Sequence, residues 1–219
     1  MGSSTNGMSE NFSIILVIGL LAQISFGLRQ ILQWWASEKA KSIQSPLSFW
    51  LLSLFGALLL LIYGVLRLDF AIVLGQFLNF YIYCRNLYFK GVWSRISFLV
   101  RIIILLVPIS ILVYLYLFYF ETFKSVFTNQ EIEFGWFLIG TIGYLLFTIR
   151  FIYQWYVSER SGISELPAGF FVLSIIGSLL IIAYGIYRSD IILIFPYLGG
   201  LVVYIRNLII NYRNPERAS

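Results

Sequence analysis

Arg29–Glu38 reads RQILQWWASE, and 121 residues later Arg150–Glu159 reads RFIYQWYVSE. The match runs on from there. Arg29–Leu87 aligns with Arg150–Leu208 without a gap, with 21 of 59 positions identical. Two apolar segments share Leu and Ile by chance, but not a spaced set of polar residues. Gln33 and Trp34 return as Gln154 and Trp155, Ser37 and Glu38 as Ser158 and Glu159, and Pro46 as Pro167. Tyr63 and Gly64 return as Tyr184 and Gly185, Arg67 and Asp69 as Arg188 and Asp190, and Tyr83, Arg85 and Asn86 as Tyr204, Arg206 and Asn207. Self-similarity at a fixed offset is the mark of a repeated structural unit, so the chain holds two copies of one module.

The composition says what surrounds that module. Of 219 residues, 60% are hydrophobic, 19% aromatic and 11% charged. A soluble domain carries about 25% charged residues, so a solvated globule is excluded, and so is a disordered chain. There is no histidine and one cysteine, Cys84. Imidazole chemistry, an internal disulfide and a Cys/His metal cluster are therefore ruled out, and no cofactor is called for. Lys and Arg are thinly spread between apolar runs, which is a poor nucleic-acid footprint. The small polar opening Met1–Gly7, with Met8 as a natural start, reads as a tag remnant.

A helix crossing a bilayer needs about 20 mostly apolar residues. Seven runs qualify: Ser13–Trp35, Leu47–Leu66, Phe70–Phe89, Ser97–Phe120, Phe134–Val157, Ala168–Tyr187 and Ile191–Ile210. The expected fold is all-α, a membrane protein of seven transmembrane helices. The repeat covers runs 1–3 and 5–7 and leaves run 4 single. Three spans would turn the second copy over, and one additional span turns it back. Hence two parallel three-helix repeats are joined by helix 4, a 3+1+3 plan. The expected divisions are 1–10 (tag or disordered N-terminus), 11–91 (first repeat), 92–124 (linker helix 4), 125–211 (second repeat) and 212–219 (cytoplasmic tail). Asp69 and Asp190 are placed to cap the third helix of each copy.

Orientation follows from the loop cations. Lys39, Lys41, Lys90, Arg95, Arg160, Arg213 and Arg217 lie on one side, and Arg67, Lys124 and Arg188 on the other. Seven against three puts the N-terminus outside and the C-terminus in the cytoplasm. Trp34, Trp35, Trp155 and Tyr156 fall at the cytoplasmic interface, where an aromatic belt belongs.

The 3+1+3 plan resembles the SWEET and PQ-loop transporter architecture. The finer motif consists of Arg29, Gln33, Trp34, Ser37, Glu38, Pro46, Phe49, Trp50, Ser53, Gly56, Arg67, Asp69, Tyr83, Arg85, Asn86 and Leu87. It resembles the lipid-A-disaccharide synthase N-terminal domain family, over about Phe26–Phe89 and again over Phe147–Ile210. The resemblance implies a membrane domain that stands alone or is joined to enzymes of lipid A or lipid-linked sugar assembly. It implies that this domain is not itself the glycosyltransferase, so the expectation is a chain that is not an enzyme. Pro46 is followed by Leu47 and Pro167 by Ala168, so the PQ dipeptide is absent.

Five arginines lie inside the apolar runs: Arg29, Arg85, Arg101, Arg150 and Arg206. An arginine at a helix centre costs about 2.5–3.5 kcal/mol to insert, so each needs a reason. One reading is snorkelling to the headgroups. A second pairs Arg29 or Arg85 with Glu38. A third is a pair of basic, amide-bearing clefts for a phosphate or sugar headgroup, since the guanidinium fork suits phosphate. Arg29, Gln33 and Ser37 share one helix face, as do Arg150, Gln154 and Ser158. The expected substrate-binding set is therefore Arg29, Gln33, Arg85, Asn86, Arg150, Gln154, Arg206 and Asn207, with Gln76 and Asn79 near mid-membrane. Ser53, Gly56, Ser174, Gly177 and Ser178 read as close-packing residues. Glu38 and Glu159 are expected to pair with Lys39 or Arg160.

No carboxylate falls near the middle of a run, which speaks against proton coupling and a catalytic acid pair. The expected function is a carrier or binder of an amphipathic phosphate-bearing glycolipid or lipid-linked sugar in envelope lipid assembly, in the bacterial inner (cytoplasmic) membrane. Two alternatives stand: a facilitator of a small sugar, and a non-transporting membrane partner of a glycosyltransferase.

Overall fold

A computed structural model describes residues 3–66, 70–126, 133–187, 189 and 191–213. It is helical throughout, with no strand among the described residues. The elements are α1 (Ser3–Ala40), α2 (Leu47–Leu66), α3 (Phe70–Phe89), a short 3-10 turn (Trp93–Arg95), α4 (Phe98–Val126), α5 (Phe134–Ser161), α6 (Ala168–Tyr187) and α7 (Ile191–Arg213). Long apolar runs become helices because every backbone N–H and C=O must be bonded within the segment where water is excluded. Among the described residues, five of the seven long helices are apolar and long enough to cross a membrane, over Ile14–Ala40, Leu47–Leu66, Phe98–Phe118, Phe134–Ser161 and Ala168–Tyr187. α3 and α7, which carry Asn86 and Asn207 and two of the arginines, are not among them. The expected caps Asp69 and Asp190 lie outside the described residues, as do Arg67, Arg188 and Arg217.

Helices α1, α2 and α3 pack in sequence order, and so do α5, α6 and α7. The copies touch through α1 against α7 and through α3 against α5. Helix α4 rests on α2 and α3. Close packing inside each copy uses glycine where an aromatic ring must approach the backbone. A Cβ on Gly56 would meet the Phe26 ring at 2.7 Å, and one on Gly177 would meet the Phe147 ring at 3.0 Å. Likewise Gly19 faces Tyr63 and Gly140 faces Tyr184. All four residues of each set are related by the same 121-residue offset, so the repeat reaches further toward the N-terminus than the residues that first reveal it. Helix α5 ends on Gly162 in the left-handed conformation (φ 72°), and the matching position after α1 is Lys41 (φ 57°).

The core lies where the copies meet. Trp50, Tyr83, Phe151, Phe170, Phe171 and Tyr204 form part of one buried cluster. Phe151 stands edge-on to Tyr83, 5.1 Å between ring centroids, and joins the first copy to the second.

A shared cleft of buried arginines and crossed pairs

The site is assembled by one set of hydrogen bonds drawn twice. In the first copy Arg29 Nη1 donates to Ser53 Oγ (2.8 Å) and Tyr83 Oη (3.1 Å). In the second, Arg150 Nη1 donates to Ser174 Oγ (2.9 Å) and Tyr204 Oη (3.0 Å). Both arginines are buried, at 5% and 2% exposure, so the snorkelling expectation is corrected for these two. Neither has a carboxylate within salt-bridge distance among the described residues, which removes the Arg29–Glu38 reading. Aromatic faces stand in for an anion: the Arg29 guanidinium lies 4.3 Å from the Phe26 ring and that of Arg150 lies 3.5 Å from Phe147. The ring quadrupole attracts a cation there. Phe151 serves both, at 5.4 Å from Arg29 and 4.8 Å from Arg150. The two guanidiniums are thus no more than about 10 Å apart.

The amides cross between copies. Gln33 and Asn207 exchange two hydrogen bonds, at 2.8 and 3.0 Å. Gln154 and Asn86 do the same, also at 2.8 and 3.0 Å. All four residues are buried. Each Gln also donates to the loop after its own helix, Gln33 to the Gln44 carbonyl and Gln154 to the Glu165 carbonyl. Ser37 and Ser158 accept from the backbone N–H of those same loop residues. The module therefore fixes its own turn before it engages its twin.

A third pair of contacts crosses in the same sense. Arg206 pairs with Glu38 through two hydrogen bonds, and Arg85 pairs with Glu159 likewise, the latter at 2.5 and 2.9 Å. The arginine side chains are 40% and 41% exposed and the carboxylates 33%, so these latches sit at the rim. The expected pairing of the glutamates with Lys39 or Arg160 is corrected. Lys39 lies over Trp35 and Arg160 over Tyr156 instead, while Trp34 and Trp155 each donate an indole N–H to the glutamate four residues on.

A cavity lies between the copies, lined by Arg29, Gln30, Gln33, Arg150, Phe170 and Tyr204 among others. Its volume is about 10 Å³, which a single water would fill. Of the ten residues picked from the sequence, Arg29, Gln33 and Arg150 line it. Asn86 and Gln154 are spent on each other and Asn207 on Gln33, while Arg85 and Arg206 are spent on glutamates. Gln76 and Asn79 are not in its lining, and their side-chain oxygens are buried without a donor. Sequence reasoning passed over Tyr83, Tyr204 and Gln30, and set Ser53 and Ser174 aside as packing residues. The duplicated Tyr and Ser positions were a usable signal, whereas Gln30 is matched by Phe151 and gave none.

The profile of the lipid A biosynthesis N-terminal domain matches residues 18–88 and again residues 139–209. The chain belongs to this family. The two matched segments begin and end at the same 121-residue offset as the hydrogen-bonded pairs. Among curated proteins, the chain is similar to lipid-A-disaccharide synthase of Chlamydia pneumoniae, 32% identical over 91% of this chain and 34% of that protein. It is also similar to the proteins of that name from Chlamydia felis and Chlamydia caviae, each 31% identical over 91% of this chain and 33% of theirs. No solved structure matches. The chain spans about a third of the length of these relatives. Their name is that of an enzyme, and it overturns the expectation of a chain that is not an enzyme: the lipid A family seen here includes proteins named for catalysis.

Proposed function

We propose that this chain binds, and passes through the membrane, an amphipathic phosphate-bearing glycolipid or lipid-linked sugar of envelope lipid assembly. The observation that carries the reading is the pair Arg29 and Arg150. Two guanidiniums buried together without a carboxylate are costly unless an anion joins them, and they line one cleft between the copies. In this reading Gln33, Asn86, Gln154 and Asn207 hold the two sides of the cleft in register, and Arg85 and Arg206 close its rim. α3 and α7 also span the membrane with their polar residues turned inward, which gives seven spans. The copies 11–91 and 125–211 lie parallel about a pseudo-twofold axis, SWEET-like, with 92–124 between them. The reciprocal contacts Gln33–Asn207 and Gln154–Asn86 support this arrangement. The membrane is the bacterial inner one, with the C-terminus cytoplasmic. A glycosyltransferase is the protein partner, a role supported by the name of the relatives.

Native mass spectrometry of gently extracted protein tests the reading. A retained phosphoglycolipid is expected, and its loss together with loss of lipid flipping in vesicles is expected for Arg29→Ala with Arg150→Ala. Unchanged retention and flipping would refute it. A second reading, a small-sugar facilitator, is favoured by Gln76 and Asn79, whose buried oxygens lack donors and would accept sugar hydroxyls. It predicts uptake of a soluble sugar by proteoliposomes that falls on Asn79→Leu.

A further inference from the structure

We infer, resting on the reading just proposed, that the anionic group taken between the copies is a phosphate monoester, one per chain, held as its dianion by Arg29 and Arg150 together. The donors of the two arginines are only partly spent. Both N–H groups of Arg29 Nη1 are spent on Ser53 and Tyr83, while Nε is buried without an acceptor. Arg150 spends Nη1 on Ser174 and Tyr204, and Nε on the Phe147 carbonyl. The Nη2 group of each has no acceptor among the described residues. The Tyr204 hydroxyl accepts from Arg150 and from Gln30 Nε2 (2.5 Å), so its own proton is left to donate. Arg29, Arg150 and Tyr204 all line the cavity.

The lining thus offers unspent donors and two fixed positive charges, with no carboxylate to offset them. The matching ligand is an acceptor with close to two negative charges. A phosphate monoester carries about −1.5 to −2 at pH 7 and three free oxygens; a diester carries one charge and two free oxygens. Arg85 and Arg206 are excluded from this role by Glu159 and Glu38. Hence one site per chain is expected, where two symmetric clefts were expected from the sequence. The cavity of about 10 Å³ is too small for a phosphate, so the copies must part for entry. The ionisable side chains facing the arginines are the phenols of Tyr83, Tyr197 and Tyr204, with no carboxylate among the described residues there and no histidine in the chain. Binding in that range therefore follows the ligand's own second ionisation, near pH 6.

The test uses the full chain in nanodiscs doped with phosphatidic acid or with phosphatidylglycerol of the same acyl chains, read by native mass spectrometry at pH 8 and pH 5. At pH 8, one phosphatidic acid per chain is expected at about tenfold or more over phosphatidylglycerol. The preference is expected to shrink at least fivefold at pH 5, and to vanish in Arg29→Gln with Arg150→Gln. Lys39→Gln with Arg160→Gln, at the rim, is expected to leave it intact, and loss of preference there would assign it to surface cations and overturn the inference. Competition by glycerol 3-phosphate as strong as by the lipid identifies a soluble ester as the source and supports the same chemistry. Equal retention of both lipids, lost in the double arginine variant, overturns the monoester class while leaving the proposed function standing. Retention indifferent to both arginines overturns the inference and that function together. The pH profile of the unmodified chain keeps the test decisive if the arginine variants fail to fold.

Discussion

The first copy and the second copy agree at the amide and ion pairs that cross between them, and part company at several positions that make no such pair. Gln33, Glu38, Arg85 and Asn86 reach across to Asn207, Arg206, Glu159 and Gln154, and all four types are kept in both copies. Under a twofold relation each such residue type serves once as the near member of a pair and once as the far member. A change in one copy breaks one crossing and leaves its symmetric counterpart whole. By contrast, Gln76 and Asn79 of the first copy face Tyr197 and Gly200 at the matching positions, Trp50 faces Phe171, and Lys41 faces Gly162. Trp50 is fully buried with its indole N–H unpartnered, and Phe171 fills the matching site without that donor. The difference teaches that the duplication is preserved in the pairs that cross between the copies and relaxed at these other positions.

The largest effect is expected from breaking a crossing. Gln33→Leu and Gln154→Leu each strand a buried asparagine amide, at a cost of about 1–3 kcal/mol, and the two losses are expected to be equal in unfolding measured in detergent. Removing both members, Gln33→Leu with Asn207→Leu, is expected to cost less than the two single losses added. Coupling between Gln33 and Asn86, which belong to different amide pairs, is expected to be absent. Next come the glycines: Gly56→Ala and Gly177→Ala force a methyl into the Phe26 and Phe147 rings, which costs about 1–3 kcal/mol. The larger loss is expected at Gly56, where the approach is 2.7 Å against 3.0 Å. The rim latches come third. Glu38→Gln and Glu159→Gln are expected to cost under about 1 kcal/mol each, because partly exposed ion pairs are screened, and the cost should shrink further in high salt. The smallest effect sharpens the comparison from the other side: Lys41→Gly is expected to raise stability by under about 1 kcal/mol by relieving a left-handed residue, and Gly162→Lys to lower it.

Much of the fold could be read before any coordinates. The apolar runs Leu47–Leu66, Phe70–Phe89 and Ala168–Tyr187 coincide with α2, α3 and α6. α1 and α5 run past their apolar stretches through Ser37–Glu38 and Ser158–Glu159, because a helix continues as long as its backbone bonds are met, whatever side chains it carries. The site was legible in depth but not in direction. Spacing put Arg29, Gln33 and Ser37 on one face, yet nothing in a chain apolar on every side says which neighbour that face meets. Hence Gln33 and Asn86 both read as ligand groups, where they are pairing groups for opposite amides. Glu38 read as a partner for nearby lysine, where its partner is an arginine 168 residues away. Identity between the copies was the better guide, since it marked Tyr83, Tyr204, Ser53 and Ser174 along with the arginines they hold.

The interlocking of the copies is tested most directly by cross-linking in native membranes, with Cys84→Ala as background. Glu38→Cys with Arg206→Cys, and Arg85→Cys with Glu159→Cys, are expected to join efficiently with a short bifunctional thiol reagent, and to equal extents. The mismatched pair Glu38→Cys with Arg85→Cys is expected to join far less. Cross-linking of the mismatched pair in preference to the two crossed pairs, or of one crossed pair without the other, would contradict the account.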